Sequence, residues 1–231
     1  MQNLDPRPTA LVFDFDGTIA DTRQLIISSY REAFAHIGQD CPDDATIGAT
    51  IGIPLVSAFR VLTGQDGELI ERAVTAYQDI YRRNGYGMVV AFPGMVELVR
   101  ACAAAGYRMA IATSRSGESL AAMADHLGIT GCFELLLSRD DVANEKPHPE
   151  MLLQAADRLG ITPEQAVMIG DTSFDIGMGS AAGARTIAVT WGNHTRDQLA
   201  SSQPTWCVDR VDELSQLLRV PVPAMAADGG R

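Results

Sequence analysis

Five short runs of consecutive apolar residues punctuate the chain: "ALVFD" (10–14), "RMAIAT" (108–113), "ELLLS" (134–138), "AVMIG" (166–170) and "RTIAVT" (185–190). They are apolar at adjacent rather than alternate positions, the pattern of parallel strands covered on both faces by helices. The helical segments that precede each of the last four stop at Gly106, Gly128, Gly160 and Gly183, each followed by a residue that resumes the apolar pattern. Glycine tolerates the left-handed conformation that closes a helix, so four C-terminal caps are expected. "TPEQ" (162–165) reads as a capping box, with Thr162 at the N-cap, Pro163 in the first turn and Gln165 reaching back. Strand–helix alternation of this kind predicts a doubly wound α/β sheet.

Residues 22–87 follow a different rule. Ile26, Tyr30, Ala33, Phe34 and Ile37 recur at helical spacing, as do Ile70, Ala73, Tyr77, Ile80 and Tyr81. Both stripes lie opposite charged faces, which predicts amphipathic helices in an insertion too large for a loop. The expected organisation is a core of residues 9–20 and 91–219, an all-α domain over 21–90, and loose tails at 1–8 and 220–231. The two crossings into and out of the insertion form a natural hinge.

Composition narrows the class of partner. The formal net charge is −11, from 29 acidic and 18 basic residues, and no run of Lys or Arg offers a nucleic-acid footprint. No apolar run reaches membrane-spanning length, and "MQNLDPRPT" has neither the charged nor the apolar region of a signal peptide. The four cysteines are widely spaced without a Cys-x-x-Cys pair. A reduced, cytoplasmic setting without nucleic-acid or membrane partners is therefore expected.

Candidate chemistry lies at the carboxyl ends of the strands, where open α/β sheets bind ligands. Those ends carry Asp14 and Asp16, then Thr113 and Ser114, then Asp171, with Asp175 in the next turn and Lys146 in "ANEKPHPE". Taken singly, Asp171 or Thr113 suits a helix cap as well as a catalyst, Asp175 suits a helix first turn, and Lys146 a solvated surface. Taken together, they bring to one sheet edge carboxylates that would repel without cations. A lysine and a divalent metal supply that need, and the set suits phosphoryl transfer. Gly17 permits close backbone approach to an anion.

Four of these segments, "DFDGT" (14–18), "IATS" (111–114), "KPHPE" (146–150) and "GDTSFD" (170–175), resemble in order the four motifs of the haloacid dehalogenase superfamily. "DGTIADT", "IGIPL" (51–55) and "FPGM" (92–95) are similar to its phosphoglycolate phosphatase branch. The resemblance implies a Rossmann-like parallel-sheet core with an inserted α-helical cap. It implies Asp14 as nucleophile and Asp16 as general acid and base, with the neutral form of Asp16 favoured by neighbouring negative charge. By the same resemblance Thr113 and Lys146 would complete the catalytic set, with Gly17, Thr18 and Ser114 around the phosphate. Mg²⁺ would be held by Asp14, the Asp16 carbonyl and Asp171, with Asp175 in support. A carboxylate at position 16 points away from dehalogenation and toward esters or anhydrides of phosphate. Ser114-Arg115 departs from the Asn-Lys common in phosphoglycolate phosphatases.

The expected activity is hydrolysis of a small phosphorylated metabolite. An inorganic pyrophosphatase and a β-phosphoglucomutase-like mutase are its alternatives, and a phospho-receiver module is a distant third. "GIP" (52–54) breaks the helical pattern and is expected to face the core. Tyr30, His36, Arg60, Arg82 and Arg83 are candidate contacts on the cap, though each suits surface or helix packing better and none is singled out.

Overall fold

The computed structural model describes residues 4–84 and 89–221. The first strand, β1 (Ala10–Phe13), leads through β2 (Ala20–Asp21) into four helices: α1 (Arg23–Ile37), α2 (Asp44–Gly48), α3 (Leu55–Thr63) and α4 (Glu68–Asn84). The chain returns through β3 (Val90–Ala91), which pairs antiparallel with β2 where the helical insert begins and ends. It then alternates: α5 (Met95–Ala104), β4 (Arg108–Ala112), α6 (Gly117–His126), β5 (Leu135–Leu137), α7 (Glu150–Arg158), β6 (Ala166–Gly170), α8 (Ser173–Ala181), β7 (Arg185–Val189), α9 (Arg196–Ser201), β8 (Trp206–Val208) and α10 (Val211–Leu218). Among the described residues, six strands form one parallel sheet in the order β5-β4-β1-β6-β7-β8. This is a Rossmann-like α/β core.

The apolar runs are buried on both faces, as parallel strands require. Leu11 and Phe13 pack with Met109, Ile111, Val167 and Ile169 on one side, while Val12, Ala110, Ala112 and Met168 pack on the other. β1 lies between β4 and β6, beside the point where the strand order changes direction. A crevice opens there, beyond the carboxyl ends. The insert has its own apolar stripe, in which Tyr30, Phe34, Phe59 and Tyr77 pack ring against ring at 4.8–6.2 Å.

All four glycine stops have positive φ, from 60° to 84°. The capping box at 162–165 forms, with Gln165 accepting from the Thr162 amide at 2.9 Å, but it closes a single 3₁₀ turn rather than an α-helix. Residues 4–8 depart from the expected loose tail. Leu4 is buried, Arg7 donates to the Ala105 carbonyl at 2.8 Å and lies over the Tyr107 ring, and Pro6 accepts from Arg185. At the other end Val220 is buried and accepts from Ser215, so the chain stays packed one residue beyond the expected boundary. The expected tails over 1–3 and 222–231 lie outside the described residues.

Candidate active site

The site is built by the ends of neighbouring strands. Asp14 follows β1, and its amide continues the ladder to the Ile169 carbonyl at 2.8 Å, so its position is fixed by the sheet itself. Asp171 follows β6 and is fully buried. Gly17 turns the chain over Asp171 with φ +83°, and a Cβ there would stand 2.1 Å from Asp171 Oδ2. No residue with a side chain fits that approach.

Lys146 is the hinge of the charge arrangement. Its ammonium donates to Asp14 Oδ1 and Asp175 Oδ1, both at 2.6 Å, and its side chain is only 2% exposed. Asp175 uses its other oxygen to close a capping box at the start of α8, accepting from the Thr172 amide and hydroxyl. It therefore serves as helix cap and lysine anchor together. Carboxylate oxygens of Asp14, Asp171 and Asp175 lie within 4.8 Å of one another.

Electrostatics follow from that crowding. Burial, assisted by Asp175, Asp171 and Asp16, pushes Asp14 well above the usual carboxylate range despite the opposing pull of Lys146. Asp171 is pushed up to about 7 by burial and Asp175, against donors from Asn193 and Thr18. Burial alone would lower Lys146, but the adjacent Asp14 and Asp175 outweigh it and raise its pKa above the ordinary lysine value. The buried cluster has more negative charge than its lysine neutralises, and its donors are all hard oxygens. Such a set fits a divalent cation of the magnesium kind.

Asp16 differs from the other acids. Arg115 Nε donates to its Oδ2 at 3.0 Å, Arg115 Nη2 contacts its Oδ1, and the Thr22 hydroxyl donates to Oδ1 at 2.6 Å. Arg115 thus pairs with Asp16, a cation that stands beside the repulsion expected from the neighbouring acids. The loop after β4 turns Arg115 inward and sets a guanidinium against that repulsion.

A cavity of about 250 Å³ opens over this floor, lined by Asp14, Asp16, Thr113, Ser114, Arg115 and Lys146 from the core. Its roof is helical insert, including Ile26, Tyr30, Gly52, Tyr77, Tyr81 and Arg82. The Ser114 hydroxyl donates to the Gly52 carbonyl at 3.0 Å, so "GIP" does face the core. Thr18 is placed elsewhere: its hydroxyl donates to Asp171 Oδ1 at 3.0 Å, beneath the cavity floor. Of the residues considered on the insert, Tyr30 and Arg82 line the cavity, whereas Arg60 pairs with Asp66 and Arg83 with Glu32 on the surface. His36 is exposed and lines a separate surface groove.

A model of haloacid dehalogenase-like hydrolases matches residues 11–189. The chain belongs to this family. This haloacid dehalogenase-like hydrolase is 38% identical over 208 residues to the protein named "Probable phosphatase IndB" of Dickeya dadantii (strain 3937), covering 88% of this chain and 90% of that one. It is 30% identical over 218 residues to the pyrophosphatase PpaX of Bacillus velezensis (strain DSM 23117 / BGSC 10A6 / LMG 26770 / FZB42), covering 94% and 99%. Among solved structures, the haloacid dehalogenase-like hydrolase SP0104 from Streptococcus pneumoniae superposes with a TM-score of 0.82 at 29% identity, covering 91% of this chain and 98% of that one.

Two supports of this site are not legible in the sequence. Asn193 donates to Asp171 Oδ2 through its amide at 2.7 Å and its side chain at 3.0 Å. Thr22 holds Asp16. Both are short polar residues outside the apolar pattern, and only the Gly192 that precedes Asn193 hints at a bend there. Arg115 was visible only as a departure from a familiar dipeptide.

Proposed function

We propose that this chain is a Mg²⁺-dependent phosphatase that hydrolyses a small-molecule phosphomonoester through a phosphorylated Asp14. The observation that carries this reading is the buried Lys146 bridging Asp14 and Asp175 at the floor of a closed-over cavity. Residues 21–90 act as the cap, whose walls select the leaving group.

Asp14, the Asp16 carbonyl and Asp171 would hold the ion, with Asp175 in support. Its charge lets these carboxylates stay ionised beside a bound phosphate. An Asp14 carboxylate oxygen attacks phosphorus, the bond to the leaving oxygen breaks, and that oxygen takes a proton from Asp16. In the second half, Asp16 takes a proton from water as the water oxygen attacks phosphorus. Inorganic phosphate and free Asp14 carboxylate result. Lys146 and the Thr113 hydroxyl stabilise the charge that spreads over the phosphoryl oxygens.

A screen with Mg²⁺ against phosphoglycolate, pyrophosphate, sugar phosphates and nucleotides tests the reading. Turnover of at least one monoester is expected, and none in EDTA. Pyrophosphate as the favoured substrate would support the second reading, for which the guanidinium groups of Arg82, Arg115 and Arg139 around the cavity speak. Long-lived phosphoenzyme in a single turnover would point instead to a mutase.

Metal binding should depend on pH with a defined sign. Burial and Asp175 push Asp171 up to about 7 from the ordinary carboxylate value of about 4, so the metal-free folded state binds more protons than the unfolded chain. Its stability therefore falls as pH rises from about 4 through about 7. Because the cation competes with those protons, the rise in Tm on adding Mg²⁺ should be larger at about pH 8 than at about pH 5.5. Equal shifts at both would contradict the assignment of Asp171 as a ligand.

A further inference from the structure

We infer that Arg115 is the positioning residue for Asp16, tying the proton-transfer carboxylate to helix α4 so that it is set in place when the helical insert is seated on the core. The inference rests on the phosphatase reading above. Its ground is the unusual place of Arg115: the side chain is 8% exposed and every polar contact it makes is internal.

Four side chains, from three parts of the chain, meet on this one guanidinium. Asp16, beyond β1, receives two of its N–H groups, and the fork fixes the carboxylate in plane and direction. Ser119 on α6 accepts from Nη1 at 2.7 Å, which anchors the arginine to the core. Tyr81 on α4 accepts from Nη2 at 2.9 Å, and its ring lies 4.9 Å from the guanidinium carbon. The Phe15 ring lies 5.9 Å from the same carbon. Thr22, at the entrance to α1, adds the third donor on Asp16.

The consequence is mechanical. Lifting α4 from the core withdraws an acceptor and an aromatic face from a buried cation, which weakens the frame around Asp16. When Asp16 carries the proton, one of its oxygens still accepts from Arg115 while the other turns its O–H to the leaving oxygen. A lysine could supply the charge but not the fork.

The test compares two esters of nearly the same shape, p-nitrophenyl phosphate and phenyl phosphate. Nitrophenolate departs without a proton, whereas phenol, with a pKa of about 10, needs one. In Arg115→Gln, kcat should fall by about threefold with p-nitrophenyl phosphate and by about 30-fold with phenyl phosphate, because a misplaced acid is felt in proportion to leaving-group basicity. KM should change by the same factor for both esters. Equal losses of kcat, or none, would overturn the inference and leave Arg115 a packing residue. Arg115→Lys and Tyr81→Phe retain more of the native packing and should widen the ratio of the two rates in the same direction, by about three- to tenfold and about two- to threefold respectively. If Arg115→Gln does not fold, an unchanged ratio in those two variants overturns the inference. A wild-type protein that hydrolyses neither these esters nor any monoester of the screen with Mg²⁺ refutes the phosphatase reading itself.

Discussion

Asp14→Asn is expected to lower phosphatase turnover by on the order of 10³-fold or more, the scale seen when a nucleophile that acts with partners is removed. The amide keeps the shape of the carboxyl and an oxygen for Lys146, but it has no anionic oxygen to attack phosphorus. The fold should survive. Ionised Asp14 is disfavoured by burial and by three neighbouring acids, so its net charge weakens the metal-free protein at neutral pH. Without Mg²⁺, the Asn variant should therefore melt no lower than the parent, and it should gain less Tm when Mg²⁺ is added. Steady-state assays and paired thermal melts check both statements. Retained turnover would remove Asp14 from the chemistry.

Lys146→Met should damage both activity and stability. Methionine has nearly the length of lysine and no charge, so it leaves Asp14 and Asp175 facing each other without their cation. Breaking a buried ion pair from one side costs about 3–5 kcal/mol, and this lysine serves two partners at once. Urea denaturation without metal should show a loss of that size, partly recovered with Mg²⁺ as the ion takes over some of the neutralisation. Turnover should fall by on the order of 10²–10³-fold, as for loss of a donor that stabilises transition-state charge. Stability equal to the parent would mean that the bridge is not what reconciles these carboxylates.

The contrast between Asp14 and Asp16 explains how much of the site could be read from sequence. Strands β1, β4, β6 and β7 advertise themselves because burial on two faces demands unbroken apolar runs. The position of Asp14 follows directly, since a strand end is a local fact. Strand β8 does not advertise itself: it has three residues, lies at the sheet edge, and leaves Cys207 exposed, so no strong apolar signal marks it. The packing of the N-terminal segment is illegible in the sequence for a similar reason. Leu4 alone gives no periodicity, and its burial depends on neighbours supplied by the rest of the fold.

Partners across long stretches of sequence are the remaining gap. Asn193 reaches Asp171 from 22 residues away, Arg115 reaches Asp16 from 99, and Tyr81 reaches Arg115 across the junction of insert and core. Asn193 and Arg115 belong to no periodic pattern, and Tyr81 is legible only as one member of the apolar stripe of its helix. Read in order along the chain, Arg115 is an ordinary charged residue after a strand. In space it decides what the second aspartate of "DFDGT" touches.

The phosphorylated Asp14 is the centre of the account, and a rapid-quench experiment reaches it most directly. Wild-type protein mixed with Mg²⁺ and a ³²P-labelled substrate from the screen is stopped in acid within the first turnover, digested and sequenced by mass spectrometry. Acid-stable, hydroxylamine-labile phosphate on Asp14 is the result the account predicts, absent from Asp14→Asn. Turnover with phosphate found on another residue, or on none at any time point, would contradict it.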